Sequence, residues 1–174
     1  MLRELISKLT AERLDPTRAW PSCHPETPVV DLARRTVGSL RFGDTIDGAQ
    51  VFGRPDRFRW SLKDYCELLY CGAGFQIDFD AGRLVYATFF LGPDSYVPKC
   101  SGLRFASIRI DGHQISREMS VSDLQKVLGR AVSEDRDEEE IVVCYARNGL
   151  TLEFEAIPSG GLKRVSVFPK DDEA

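Results

Sequence analysis

The sequence predicts an α+β protein in which a short helix followed by an antiparallel sheet occurs twice in tandem. Two observations lead to this class. Two similar phrases, YCGAGFQIDFDAGRL from Tyr70 and YARNGLTLEFEAIPSGGL from Tyr145, begin 75 positions apart. Upstream of each phrase, apolar residues at helical spacing run up to a glycine, Gly53 in the first case and Gly129 in the second, where a helix is expected to end.

Each phrase predicts a hairpin that leads into a strand with one buried face, because apolar and polar residues alternate strictly. The alternating apolar residues are Phe75, Ile77, Phe79, Leu150, Leu152 and Phe154. The Ala73-Gly74 and Asn148-Gly149 pairs supply the backbone freedom of a hairpin turn. A further strand follows each time, RLVYATFFL from residue 83 and LKRVSVFP from residue 162.

Two short helices are predicted ahead of these hairpins. In the second, Ser120 or Ser122 is the expected cap and Gly129 the expected stop. Its buried stripe would be Val121, Leu124, Val127 and Leu128. In the first, Asp44 is the expected cap, and Gly48 weakens the helix. The residues expected to face inward there are Ile46, Ala49, and Val51 or Phe52.

The chain is predicted to have five parts. Residues 1–15 form an N-terminal amphipathic helix, and residues 16–35 form a proline-rich arm. Residues 36–94 form the first helix-plus-sheet repeat, residues 95–114 a connector with a joining strand, and residues 115–170 the second repeat. Trp20 in the arm either pins the arm to the body or stays exposed as an anchor for another molecule.

Composition and charge argue against several classes of function. The 174 residues are 43% hydrophobic, which suffices for a folded core, and the formal charge of −4 disfavours binding to nucleic acid. No apolar run reaches the roughly 20 residues that span a bilayer, so no membrane partner is predicted. The start of the chain does not resemble a secretion signal, which favours a cytoplasmic protein.

The cysteine pattern also favours the cytoplasm. The five cysteines form no CxxC pair, and their odd number prevents complete pairing within one chain. They are Cys23, Cys66, Cys71, Cys100 and Cys144. Free thiols in a reducing compartment are therefore expected. If a disulfide forms, the sequence suggests Cys66 with Cys71 or Cys71 with Cys144.

No residue pattern indicates catalysis, a cofactor or a metal. His24 lies in the proline-rich arm beside Cys23, His113 lies in a predicted turn, and no metal or phosphate-binding motif includes them. The acidic run at residues 133–140 is expected to be a solvated loop or, less simply, a docking surface. Four carboxylates at matching positions of the two phrases are expected to be solvated, although an acid–base pair stays open. They are Asp78, Asp80, Glu153 and Glu155.

One strand suggests a binding surface, because both of its sides are apolar. Val85, Ala87, Phe89 and Leu91 predict a core side, whereas the opposite side, which we call the second face, carries Leu84, Tyr86, Thr88 and Phe90. Mixed aromatic and charged residues are typical of protein interfaces. The predicted partner-binding residues are Tyr86, Phe90, Phe168, Asp78, Asp80 and Arg164. An alternative is that the arm or the N-terminal helix covers this face.

Between Phe42 and Pro169, each tandem unit has a helix that ends in FG or LG and a hairpin that is entered through a Y…G phrase. In this pattern the units resemble β-lactamase inhibitor protein and related small domains of outer-membrane assembly lipoproteins. The resemblance implies a concave, duplicated sheet that grips another protein with aromatic and acidic residues. We therefore expect a small acidic module that binds another protein, as an inhibitor or an immunity-type protein neutralising a bacterial partner. Two alternatives are an enzyme or small-ligand-binding protein that uses paired carboxylates between the repeats, and a structural subunit of an assembly.

Overall fold

The computed structural model describes residues 15–22, 25–62, 64–93 and 103–170. Within these ranges the protein is mostly β, with one sheet of five strands, one of eight, and short helices. The prediction of an α+β protein is therefore wrong. Of the predicted N-terminal helix, only Asp15 is described, and it caps a short 3-10 turn at Pro16–Ala19.

The strands follow one another along the chain in thirteen short segments. They are β1 (Val30–Asp31), β2 (Thr36–Val37), β3 (Leu40–Arg41), β4 (Arg57–Leu62), β5 (Tyr65–Tyr70), β6 (Phe75–Asp80), β7 (Arg83–Phe90), β8 (Ile108–Ile110), β9 (His113–Ile115), β10 (Ser133–Arg136), β11 (Ile141–Arg147), β12 (Leu150–Ala156) and β13 (Leu162–Pro169). The small sheet has the order β3-β2-β1-β8-β9, and the large sheet has the order β10-β11-β12-β13-β7-β6-β5-β4.

The large sheet consists of two four-stranded meanders that meet at one seam. Strands β4 to β7 pair in sequence, as do β10 to β13, and β13 pairs with β7 in antiparallel register. The predicted joining strand does not link the two meanders. It corresponds to β8, which lies in the small sheet and pairs with β1 in parallel.

The α-helix α1 (Val121–Leu128) agrees with the sequence analysis. Ser120, not Ser122, is its cap: the Ser120 hydroxyl accepts a hydrogen bond from the Asp123 backbone, and the Asp123 side chain accepts one from the Ser120 backbone. Gly129 ends the helix at a φ of 79°. Leu124 and Leu128 are buried, so the predicted apolar stripe faces the core.

The other predicted helix is instead a 3-10 helix at Ile46–Phe52, so the prediction of two helix-plus-sheet repeats is wrong. Asp44 is not its cap. The Asp44 carboxylate accepts a hydrogen bond from the Arg41 backbone, and Thr45 occupies the cap position without a side-chain hydrogen bond. Phe52 is buried, whereas Val51 is 61% exposed, which settles which of these two faces inward.

The two similar phrases form different hairpins. Asn148 and Gly149, with φ values of 52° and 72°, make a tight turn between β11 and β12. The first hairpin has a longer loop, in which Gly74 follows a 3-10 turn at a φ of 70°. Consequently Tyr70 pairs with Phe75, whereas Tyr145 pairs with Leu152, so the two tyrosines do not occupy matching register positions.

The core lies between the small sheet, helix α1 and the side of the large sheet opposite the second face, which we call the first face. The buried side chains of these elements form one cluster. Trp20 is only 8% exposed and belongs to this cluster, so it pins the arm to the body. A β-bulge in the β6–β7 pairing interrupts the predicted alternation of β7. It places Leu84 in the core and leaves Val85 half-buried, contrary to the sequence analysis.

Candidate protein-binding face

Two aromatic rings stack at the seam of the large sheet. Tyr86 on β7 and Phe168 on β13 have ring centroids 5.0 Å apart and planes inclined by 13°. The register explains this contact, because Ala87 pairs with Val167 at the adjacent position of the two strands. Both rings are half-buried, so each keeps part of its surface accessible. They lie on the second face of the large sheet, opposite the core.

Asp78 lies beside the ring pair, since it pairs with Tyr86 across β6 and β7. Its carboxylate accepts a hydrogen bond from the Tyr65 hydroxyl at 2.8 Å and another from the Gln76 amide at 2.8 Å. Asp78 is only 6% exposed, and burial raises the pKa of its carboxyl to about 6, although both hydrogen bonds oppose the shift. Nearby Glu67 raises this pKa further.

Tyr65 supports the charge on Asp78. Burial, followed by the Asp78 carboxylate, raises the pKa of the Tyr65 hydroxyl well above its ordinary value. The hydroxyl therefore keeps its proton and donates it in the hydrogen bond. The result is a carboxylate that is held in place by two neutral donors next to an aromatic surface.

The other side of the seam carries a buried ion pair. The Arg164 guanidinium donates to Glu155 at 2.5 Å, and Glu155 is 4% exposed. Burial raises the pKa of the Glu155 carboxyl, while Arg164 lowers it. The second carboxylate oxygen of Glu155 has no hydrogen-bond partner. Between this pair and the rings, the buried hydroxyls of Thr88 and Ser166 approach to 3.4 Å.

The structure separates the predicted partner-binding residues into three groups. Tyr86, Phe168 and Asp78 lie together at the seam. Phe90 is 3% exposed and packs with Leu69, Cys71 and Leu103, so it is not an accessible anchor. Asp80 is exposed at the hairpin end of β6, and Arg164 is engaged with Glu155.

Sequence reasoning missed the residues that hold Asp78, namely Tyr65 and Gln76. A signal for Tyr65 was present, because Tyr65 and Glu67 alternate with the buried Cys66 and Leu68 and so share a face. The predicted solvation of the four carboxylates holds for exposed Asp80 and half-buried Glu153. It is wrong for Asp78 and Glu155, which are both buried.

The buried carboxylates do not form an acid–base pair. Asp78 lies on β6 and Glu155 on β12, with β7 and β13 between them. Three strand spacings correspond to about 14 Å, which is too far for two groups to act on one bond. Among the described residues, no group of three or more His, Cys, Asp and Glu side chains could hold a metal ion. His113 is exposed, and Cys23 and His24 lie outside the described residues.

The prediction that every cysteine is a free thiol is wrong. Cys71 is disulfide-bonded, whereas Cys66 and Cys144 are free. Since Cys66 and Cys144 are free, neither disulfide considered from the sequence forms. Burial raises the pKa of the Cys66 thiol to about 12, which keeps this thiol protonated and unreactive. Cys100 lies outside the described residues.

The acidic run is a strand in its first half rather than a loop. Ser133–Arg136 forms β10 and pairs with β11, and all four side chains are exposed. In the turn that follows, the Asp137 carboxylate accepts hydrogen bonds from the backbones of Glu139 and Glu140. No helix in the described ranges combines the length and apolar character that crossing a membrane requires.

No known protein family and no curated protein matches the sequence. Among solved structures, the fold is similar to that of a DUF4309 family protein, YjgB, from Bacillus subtilis, with a TM-score of 0.50 and 17% identity over 77% of this chain and 84% of that one. A cysteine-rich secretory protein, SAV1118, from Staphylococcus aureus matches with a TM-score of 0.39 and 13% identity over 75% of this chain and 45% of that one. The first likeness concerns the fold alone.

Proposed function

We propose that this protein is a binding module that takes up another protein on the second face of its large sheet, with Tyr86 and Phe168 as anchors. The observation that carries the proposal is the stacked, half-buried ring pair at the seam. Large aromatic side chains that keep accessible surface are common energetic centres of protein interfaces. The rings are held rigid by stacking, so little side-chain entropy is lost when a partner covers them.

Charge around the rings favours a partner with a basic surface. Two carboxylates, Glu153 and Glu155, and the cation Arg164 act electrostatically on Tyr86. Asp78 adds a third carboxyl group opposite Tyr86 on β6. The chain as a whole carries a formal charge of −4. Complementary charge would speed the encounter and orient the partner, while the rings would supply most of the affinity. Neutralisation of a bacterial protein, as by an inhibitor or immunity-type protein, is the form of binding that we propose.

The test is a capture experiment with matched variants. Immobilised wild-type protein and a Tyr86→Ala, Phe168→Ala double variant are exposed to lysate of the native cells, and captured proteins are identified by mass spectrometry. The double variant should lose at least about tenfold in capture, since each anchor typically contributes about 2 kcal/mol or more. Phe105→Ala is the control, because Phe105 is 47% exposed and lies outside β7 and β13.

The two outcomes that contradict the proposal are clear. Equal capture by the wild type and the double variant would exclude the ring pair as a contact. A melting temperature lowered by several degrees in the double variant, with no change in Phe105→Ala, would mean that the rings are structural. In either case the second face would not be the partner site that we propose.

A second candidate is the binding of a small ligand at Asp78. A buried carboxyl with a pKa of about 6 changes charge near neutrality and suits proton transfer. The discriminating measurement is thermal stabilisation by a panel of small cationic and polar compounds, compared between the wild type and Asp78→Asn. Stabilisation that requires Asp78 but not the Tyr86 and Phe168 rings would favour this candidate.

A cytoplasmic location stays a prediction. It was expected from the start of the chain and from free thiols, and the Cys71 disulfide removes the second support. Disulfides persist mainly in oxidising compartments such as the periplasm and the cell exterior. The proposed partner can therefore lie in either kind of compartment.

A further inference from the structure

We propose that copies of this chain associate head to tail, with strand β4 of one copy pairing with strand β10 of the next. In the described part of the chain, β4 and β10 are the two end strands of the large sheet. The outward backbone groups of an end strand lack a strand partner and can pair with a strand of another chain. This association uses the sheet edges and is therefore independent of partner binding through the second face.

The two edges carry opposite charges. Arg57 and Arg59 are exposed on β4, and exposed Arg54 and Asp56 precede the strand, so this edge has three cations and one carboxylate. Residues 133–140, which comprise β10 and the turn after it, contain six carboxylates and one arginine. Pairing β4 with β10 brings these opposite charges together, whereas pairing two β4 edges or two β10 edges would place like charges opposite each other. Charge therefore selects the head-to-tail arrangement over a symmetric dimer.

Side-chain alternation also fits a continuous sheet. Following the register across all eight strands, Ser133 and Arg57 lie in one row of the second face. Asp135 and Arg59 share that face. Because β4 and β10 run in opposite directions, an added β10 that is shifted by four residues from this row brings the Asp135 carboxylate beside Arg59. Arg59 is 4.0 Å from Glu67 but 59% exposed, so a contact from outside can reach it.

The first face of the two edges is complementary as well. Trp60 on β4 is 38% exposed and packs edge-on against Phe58, with the two ring centroids 5.5 Å apart. A docked β10 places its Arg136, which is 59% exposed and pairs with Glu134 at 2.9 Å, on the same side as Trp60. A guanidinium next to a tryptophan ring contributes a cation–π attraction. In the assembly, the next copy therefore covers the exposed Trp60 side chain.

Such a short interface predicts weak, salt-sensitive association, on the order of 100 µM in dissociation constant. The repeated use of unlike surfaces generates open chains of copies instead of a closed dimer. The first measurement is sedimentation velocity of the full chain over a range of concentrations. The average mass should rise with concentration at about 20 mM salt and fall back toward the monomer at about 500 mM salt.

Charge reversal locates the interface. Arg57→Glu, Arg59→Glu gives a β4 variant with two acidic edges, and Asp135→Lys, Glu138→Lys, Glu139→Lys gives a β10 variant with two basic edges. Each variant alone should weaken association by at least about tenfold. An equimolar mixture should restore it, since every edge then meets one of opposite charge. Arg41→Glu, Arg109→Glu is the control for net charge, because both arginines are exposed on the small sheet and not on β4 or β10, and it should associate like the wild type.

Three results would overturn the proposal. They are a wild type that stays monomeric at low salt up to several hundred µM, edge variants that associate as well as the wild type, and a mixture that fails to associate. Because all the substituted side chains are exposed, the melting temperature of each variant should stay close to that of the wild type, which separates loss of association from loss of folding.

Discussion

The Asp78 carboxylate lies almost out of water, and burying a charge costs free energy even when hydrogen bonds compensate it in part. Tyr65 and Gln76 each donate to one of its oxygens, which fixes the carboxylate on β6 at the position that pairs with Tyr86 on β7. Sequence alternation identifies the face on which Asp78 lies. It does not reveal burial, because burial depends on which side chains the neighbouring strands β5 and β7 place beside it.

Substituting Asp78→Asn should change the pH dependence of stability in a defined direction. Burial raises the pKa of the Asp78 carboxyl to about 6, so the folded protein holds this proton at pH values at which the unfolded chain has released it. The wild type therefore loses stability relative to Asp78→Asn as the pH rises from about 4 to about 7, by about 2 kcal/mol. Urea unfolding of both proteins across this range measures the difference.

If the free energies of unfolding of Asp78→Asn and the wild type differ by the same amount at every pH, the substitution merely alters hydrogen bonding. This result would contradict a raised pKa, because only a proton-linked effect changes with pH. Gln76→Ala is a useful comparison. It removes one donor that lowers the pKa of Asp78, so the pH-dependent loss of stability should become larger.

At the level of elements, short signals within the sequence identify the pieces that form locally. Helix α1 follows from a capping serine, an apolar stripe and a terminal glycine, and the β11–β12 hairpin follows from Asn148-Gly149. Both depend only on neighbours along the chain. The 3-10 helix at Ile46–Phe52 resembles α1 in pattern but lacks a side-chain cap, and Gly48 falls in its middle.

The cap of α1 can be tested with two neighbouring serines. Ser120→Ala should destabilise the protein by about 1 kcal/mol, because the Asp123 backbone N–H loses its hydrogen-bond acceptor. Ser122→Ala is the matched control, since Ser122 is exposed inside the helix and alanine has the higher helix propensity, so its stability should be unchanged or slightly raised. Equal effects of both substitutions on the unfolding free energy would contradict the assignment of the cap.

Features that depend on distant strands were beyond the sequence analysis. The bulge that moves Leu84 into the core arises in the β6–β7 pairing, where one strand has an extra residue. The mismatch between Tyr70 and Tyr145 follows from loop length, which shifts register although the residue pattern is the same. The small sheet was missed because its strands are two or three residues long and join segments far apart in sequence, as β1 and β8 do. For the same reason, Tyr86 and Phe168 were predicted on one face, but not as a stacked pair.

For the whole molecule, the β7–β13 seam is the contact that joins the two meanders into one sheet. Phe89 and Val165 pair there within the core, while Thr88 and Ser166 pair on the second face. The seam therefore organises both sides of the sheet at once. It supports the core on one side and presents the ring pair on the other.

The Cys71 disulfide predicts a specific thiol count for the intact chain. After reduction, the unfolded protein should have five reactive thiols. Unfolded protein that has never been reduced should have two fewer. Titration with a thiol-specific reagent in denaturant measures both values. Equal thiol counts before and after reduction would contradict the disulfide. They would again favour the reducing compartment that the sequence predicts.

Site-specific photo-crosslinking in the native cells measures whether the ring pair at the seam contacts another protein. A benzoylphenylalanine is introduced at Phe168, and separately at Val132, which is 65% exposed and lies away from the rings. Irradiation should link the variant at Phe168 to one defined protein, and the variant at Val132 should yield none of that adduct. An adduct at Val132 but not at Phe168, or no adduct with any other protein at Phe168, would contradict this contact.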